Sequence, residues 1–177
     1  LSIKDALIHL YWWALDVKRD TIKEQTSLSS PNTLTDWNSF SRELAVNYSK
    51  GLPAIGGRNP DGTRKIVEID ETRLTLRKYH RGRQVSNGFW LVGGVERGKS
   101  DRFFFIRVKK RDKKTLWKTI RQFVLPGSHI MTDCWSGYGD LDTCRGKDYK
   151  HDVVIHKRHF VRPDNRLVHA QTIESMW

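Results

Sequence analysis

From residue 66 the chain presents three β-rich runs in succession, at 66–74, 89–96 and 102–109, with no helical pattern between them. Glycines and charge clusters separate the runs, so they read as three sequential antiparallel strands. An amphipathic run over 115–125 follows, with Leu116, Ile120, Phe123 and Val124 on one side, and Pro126-Gly127 ends it. Beyond it the pattern predicts a short strand over 129–132, a short helix over 136–141, another strand over 153–156, and a helix from Leu167 onward.

The resulting order, β-β-β-α-β-α-β-α, is that of the RNase H-like α/β fold. The residues before it behave differently. Over 1–50, Ile3, Leu7, Leu10, Tyr11 and Ala14 recur at helical spacing behind a candidate N-cap at Ser2. A short helix over 21–25 and a stripe at Leu34, Trp37, Phe40 or Ser41, and Leu44 follow, with the turn cluster Ser29-Ser30-Pro31-Asn32 between them. Three short helices with a tight middle turn fit a helix-turn-helix, DNA-end-binding module as well as they fit a plain helical cap. Residues 51–64 carry Gly51, Pro53, Gly56, Gly57, Pro60 and Gly62 and read as a linker. The expected organisation is therefore a helical segment over 1–50, a linker over 51–64 and an RNase H-like domain over 65–177, truncated at its C-terminal end.

Charge narrows the partner. Of 177 residues, 32 are Lys or Arg and 20 are Asp or Glu, a net charge of +12, which points to a polyanion and first to nucleic acid. No long apolar run or lipidation signal suggests a membrane. Cys134 and Cys144 are too few for a disulfide framework and too far apart for a C-x-x-C zinc pair. A reducing, intracellular setting follows, the nucleus if the source is eukaryotic.

Three carboxylates sit where carboxylates are costly or exactingly placed. Asp70 lies inside the first β-run, in Val67-Glu68-Ile69-Asp70-Glu71-Thr72, although Asp is depleted in strands. Asp133 ends the fourth, in Ile130-Met131-Thr132-Asp133-Cys134-Trp135, and Glu174 sits in the last helical run, in Thr172-Ile173-Glu174-Ser175-Met176-Trp177. Singly, each has an ordinary structural explanation. In an RNase H-like arrangement the first and fourth strands are neighbours and the last helix crosses their edge, so the three converge. Clustered carboxylates repel unless cations lie between them, and hard oxygen ligands suit two Mg²⁺ or Mn²⁺ ions.

These segments resemble the Merlin-type DDE transposases and their bacterial insertion-sequence relatives. The likeness is carried by 67–72, by Arg77-Lys78-Tyr79-His80-Arg81-Gly82-Arg83, by Trp90-Leu91-Val92-Gly93-Gly94-Val95-Glu96-Arg97, by Val124-Leu125-Pro126-Gly127-Ser128 with 132–138, and by His169-Ala170-Gln171-Thr172-Ile173-Glu174 with Trp177. The resemblance implies an RNase H-like catalytic domain that binds transposon terminal inverted repeats and target DNA, cleaves strands with two metal ions and transfers them, as a homo-oligomer. It carries Asp70, Asp133 and Glu174 over as catalytic, metal-holding residues, at separations of 63 (133 − 70) and 41 (174 − 133) residues. The zinc ribbon that many relatives place near the N-terminus is not visible, since no Cys precedes Cys134. A domesticated DNA-binding protein without catalysis and a nuclease on the same fold are the rival readings.

Around the acids, Arg73, Arg77, Lys78, Arg81 and Arg83 crowd the exit of the first strand and are expected to contact DNA phosphates. The second basic run, 109–114, reads as a solvated loop. Trp135, directly after the Asp133-Cys134 pair, either stacks on a base or braces the acid. His156 and His169 flank the site as supporting residues that orient a carboxylate or serve the fold alone.

Overall fold

A computed structural model describes residues 2–28, 30–75, 88–143, 148–154, 161–162, 165–169 and 171–176, and for 161–162, 165–169, Gln171 and Glu174 the backbone alone. The chain divides into two compact units, Leu1–Gly51 and Leu52–Trp177. Among the described residues no helix is long and apolar enough to cross a membrane.

The first unit holds three helices, α1 (Ile3–Ala14), α2 (Arg19–Gln25) and α3 (Pro31–Lys50). Ser2 caps α1 as its sequence position suggests, its hydroxyl accepting from the Asp5 amide at 3.1 Å. The Asp5 carboxylate accepts in turn from the Ser27 amide and hydroxyl, at 3.3 and 2.8 Å, which ties α1 to the turn before α3. Those hydrogen bonds, the Ser27 hydroxyl foremost, hold its carboxyl below the usual range. Ile22, Leu28 and Leu34 form the core, with Trp12 and Trp37 packed against it.

The face of α1 that is buried differs from the one its spacing predicts. Ile3, Leu7 and Tyr11 are exposed, while His9 is fully buried, with its Nε2 3.0 Å from Asn38 Oδ1. On α3, likewise, Leu34 and Ser41 are buried and Phe40 and Leu44 are exposed. The cause lies in composition: α1 carries Leu7, Ile8, Leu10, Tyr11, Trp12 and Trp13, so it is apolar nearly all round and periodicity does not select a side.

The second unit is built on a five-stranded mixed sheet. Its elements are β1 (Ile55–Gly56), β2 (Ile66–Leu74), β3 (Phe89–Glu96), β4 (Phe103–Val108), α4 (Lys113–Phe123), β5 (Val124–Leu125), β6 (His129–Asp133), β7 (Lys150–Val154), β8 (Val161–Arg162), β9 (Asn165–His169) and α5 (Gln171–Glu174). The main sheet runs β4-β3-β2-β6-β7. β2, β3 and β4 are joined antiparallel, and β6 and β7 add in parallel on the other side of β2. This mixed α/β architecture is compatible with an RNase H-like DDE domain.

Alternation along β2 sorts its side chains. Val67 and Ile69 enter the main core with Val92, Phe104, Leu116, Ile120 and Ile130, whereas Glu68 and Asp70 lie on the opposite face. Asp112 caps α4 by accepting from the Thr115 amide at 2.8 Å, and Leu116, Thr119 and Ile120 form its buried side. The residues read as a linker are partly built into this unit. Ile55 is buried and pairs with Val124 in a small parallel sheet. Gly56 has a φ of +83°, and a Cβ there would lie 2.2 Å from Ser128 Oγ, so the close approach needs glycine. Its amide donates to Glu96 Oε2 at 3.0 Å.

Two expected helices are replaced. Between β6 and β7, the described residues form two single 3₁₀ turns, Ser136–Tyr138 and Leu141–Thr143, instead of a helix over 136–141. Gly137 is packed under the Trp135 ring, and a Cβ there would come within 1.7 Å of it, which ties the backbone to the indole. Leu167 belongs to β9, which pairs with β8 as a hairpin through Val161 with His169 and Arg162 with Asn165, so the last helix begins only at Gln171.

Candidate active site

Parallel pairing of β2 with β6 sets Glu68 opposite Met131, an offset of 63 residues (131 − 68). The same offset relates Asp70 to Asp133, so the two acids occupy corresponding positions on neighbouring strands, Asp70 in the middle of β2 and Asp133 at the end of β6, two residues beyond the last paired positions. Across the other edge of β2, the residue opposite Asp70 is Gly93, which places no side chain beside the carboxylate. Asp70 and Asp133 are both half-buried. Asp133 Oδ1 accepts from the Trp135 amide at 3.0 Å, and its Oδ2 lies 3.8 Å from Arg111 Nη2.

Glu174 lies on α5, whose Ile173 is fully buried with Val95 and packs near Phe103, Phe105 and Met176. The Glu174 side chain is outside the described residues. Among the described side chains no group of three His, Cys, Asp or Glu is arranged to hold a metal ion. The donor set nonetheless suits a hard divalent cation. Asp70 and Asp133 offer carboxylate oxygens at one strand edge, both partly open to solvent, and Mg²⁺ is ordinarily held by one or two carboxylates plus water and phosphate oxygens.

Behind Asp133 stands a network that sequence reading overlooked. The Glu71 carboxylate is buried on the other face of β2, accepting from Arg111 Nε and from the Tyr138 hydroxyl. Burial pushes Glu71 up from its ordinary value despite both donors, and it raises the Tyr138 phenol far above its usual range, with Glu71 adding to the effect. The Arg111 guanidinium lies 4.2 Å from the Trp135 ring centre and 5.0 Å from that of Trp90. Arg111 therefore corrects the reading of 109–114 as a solvated loop: one member of that run is stacked between two indoles beside Asp133. The signal available in sequence was a further acid in the first strand, Glu71, together with the basic run that directly precedes α4.

The remaining expected residues are placed as follows. Trp135 packs edge-on to Tyr138 at 6.0 Å and against the main core, an arrangement that braces the Asp133 turn. Arg73 lies exposed near the end of β2, 6.0 Å over Trp90. His169 closes the β8–β9 hairpin opposite Val161 and precedes α5 by two positions. Arg77, Lys78, Arg81, Arg83 and His156 lie outside the described residues. Two other histidines are near instead. His151 Nε2 lies 2.9 Å from the Thr132 hydroxyl and His129 Nε2 lies 2.6 Å from Asp152 Oδ2, and burial lowers the pKa of both rings.

A family model described as ISXO2-like transposase domain matches residues 62–177, which takes in the whole main sheet and α5. No curated protein gives a significant match.

Proposed function

The chain belongs to the ISXO2-like transposase domain family of DDE-type insertion-sequence transposases, and from that premise we propose that Asp70, Asp133 and Glu174 are its catalytic triad. The observation that carries this reading is the shared register of Asp70 and Asp133 on adjacent parallel strands. The strand order β4-β3-β2-β6-β7 supports an RNase H-like topology, in which α5 brings the third acid to the same edge. The motif pattern supports a Merlin-type relationship within this wider group.

On this reading the three carboxylates hold two Mg²⁺ or Mn²⁺ ions, which supply activation of a water or 3′-hydroxyl and charge stabilisation of the leaving oxygen. The chain's own residues position and orient. The Trp135 amide fixes the Asp133 carboxylate, and Arg111, locked between Glu71 and two indoles, keeps a cation beside it. Arg73, Arg77, Lys78, Arg81 and Arg83 hold the phosphate backbone, and the three-helix unit, read as a helix-turn-helix module, recognises the transposon end. Pairing of two ends requires a homo-oligomer.

The test uses a duplex carrying the terminal repeats that flank the gene, with Mg²⁺ or Mn²⁺. Asp70→Asn, Asp133→Asn and Glu174→Gln should each reduce cleavage to background while leaving duplex affinity within about twofold, since phosphate contacts dominate affinity. Near wild-type cleavage by any one variant removes that residue from the triad. Joining of the cleaved end to a plasmid target separates a transposase from a nuclease that only hydrolyses.

A further inference from the structure

We propose that Glu68 is a positioning residue, a buried carboxylate on the Asp70 strand that clamps the Glu174 helix in place; the role rests on the triad reading above. Glu68 is fully buried in the interior of β2, where an acid has no packing advantage. Its Oε2 accepts from the backbone amides of Thr172 and Ile173, at 2.8 and 3.1 Å. Its Oε1 accepts from the Thr172 hydroxyl at 3.0 Å and from Arg97 Nε at 2.7 Å.

Each contact answers a physical need of α5. The helix is a single turn of four residues, too short to be stable alone, and its first amides have no partner within it. Glu68 supplies two of those partners from the strand below. The apolar side of the same attachment is Ile173, fully buried with Val95, and Val95 is the cross-strand partner of Glu68. Polar and apolar contacts thus converge on one pair of positions, two residues from Asp70 and one from Glu174.

The charge state is equally specific. At least four donors point at two oxygens, and only an ionised carboxylate is acceptor-only; a Gln would turn an NH₂ group toward Arg97 or Thr172. Arg97 neutralises the buried charge, and its own amide donates to the Ile66 carbonyl at 2.9 Å, which fixes the arginine to the start of the same strand. Glu68 therefore serves as the anchor of a ligand rather than as a ligand. The spacing of Glu68 and Asp70 sets both the first acid and the seat of the third.

The experiment measures Mn²⁺ affinity by electron paramagnetic resonance on the full chain, without DNA, for wild type, Glu68→Gln, Thr172→Val, Glu174→Gln and the double variant Glu68→Gln/Glu174→Gln. Loss of an outer-shell partner typically weakens metal binding about 10- to 100-fold. Glu68→Gln should fall in that range, and the double variant should bind no more weakly than Glu174→Gln alone, because both changes remove the same ligand. Hydrogen exchange should quicken in peptides spanning Thr172 and Ile173. A Glu68→Gln protein that melts earlier yet keeps wild-type Mn²⁺ affinity overturns the proposal. If Glu68→Gln does not fold, Thr172→Val decides: weaker Mn²⁺ binding upholds the clamp, and wild-type binding overturns it. Unaltered affinity in Glu174→Gln removes Glu174 from the ligands, and with it both the triad reading and the clamp's role; failure in Glu68→Gln alone leaves the triad standing.

Discussion

Gly93 and Gly94 show how one dipeptide serves two faces of a sheet. Gly93 lies opposite Asp70 and leaves that carboxylate uncrowded, while Gly94 pairs with Phe104 on β4 and receives its ring. A Cβ on Gly94 would sit 2.3 Å from Phe104 Cε1, and the ring is held from behind by stacking on Phe123 at 4.9 Å. Gly94→Ala should therefore destabilise the protein by about 1–3 kcal/mol in urea unfolding, the usual cost of overpacking. Adding Phe104→Leu should recover part of that loss. Asp70 and Asp133 were legible as acids in strands, because a strand seldom carries a carboxylate without using it. Glu68 and Glu71 carried the same signal and were passed over. Only alternation, applied with knowledge of which face meets α5, separates Glu68 and Asp70 from Glu71. Arg111 was illegible for another reason: its neighbours Lys109, Lys110, Lys113 and Lys114 mask one stacked guanidinium within a run of like charge.

The helix α4 was read from its spacing to within two residues at each end, because its apolar positions occupy a single stripe. Ile120 is fully buried in that stripe and Lys118 lies exposed on the other side. Ile120→Ala should cost about 2–5 kcal/mol, and Lys118→Ala should stay within about 0.5 kcal/mol, as judged by thermal or denaturant melts. Where the stripe was not single, as in α1, the existence of the helix was legible and its buried side was not. The stretch after Leu167 failed differently. Leu167 and Val168 satisfy both a helix start and a short hairpin strand, and the choice was made by pairing with Val161 and Arg162, a contact that no local pattern reveals. Between β6 and β7, two turns of 3₁₀ among the described residues stand in place of a helix, and Trp135 fills the space a Cβ at 137 would need, so that position requires glycine.

At the scale of the molecule, protonation gives the stability a direction. Burial lowers the His129 and His151 rings below 6.5, so as pH falls through that value the unfolded chain takes up protons that the folded one refuses. Stability is then present above about pH 6.5 and is lost on acidification. Glu71 works the other way: its raised pKa means the folded state binds its proton first, which favours the fold as pH falls toward 4.5. The expected result is a melting temperature that drops between pH 7 and pH 5.5 and flattens below, with His151→Gln reducing the initial slope; calorimetry across that range checks it. The antiparallel run of β2, β3 and β4 and the strand positions of Asp70 and Asp133 were legible because they are written within short segments. The closing contact was not, since Thr172 and Glu68 stand 104 residues apart. That distance has a consequence for synthesis. On the proposed function, a ribosome delivers Asp70, Asp133 and the basic residues proposed to contact DNA before the α5 residues proposed to complete the site. Under that proposal a nascent chain carries the residues that contact DNA before it carries Glu174, so binding precedes cutting in the order of synthesis.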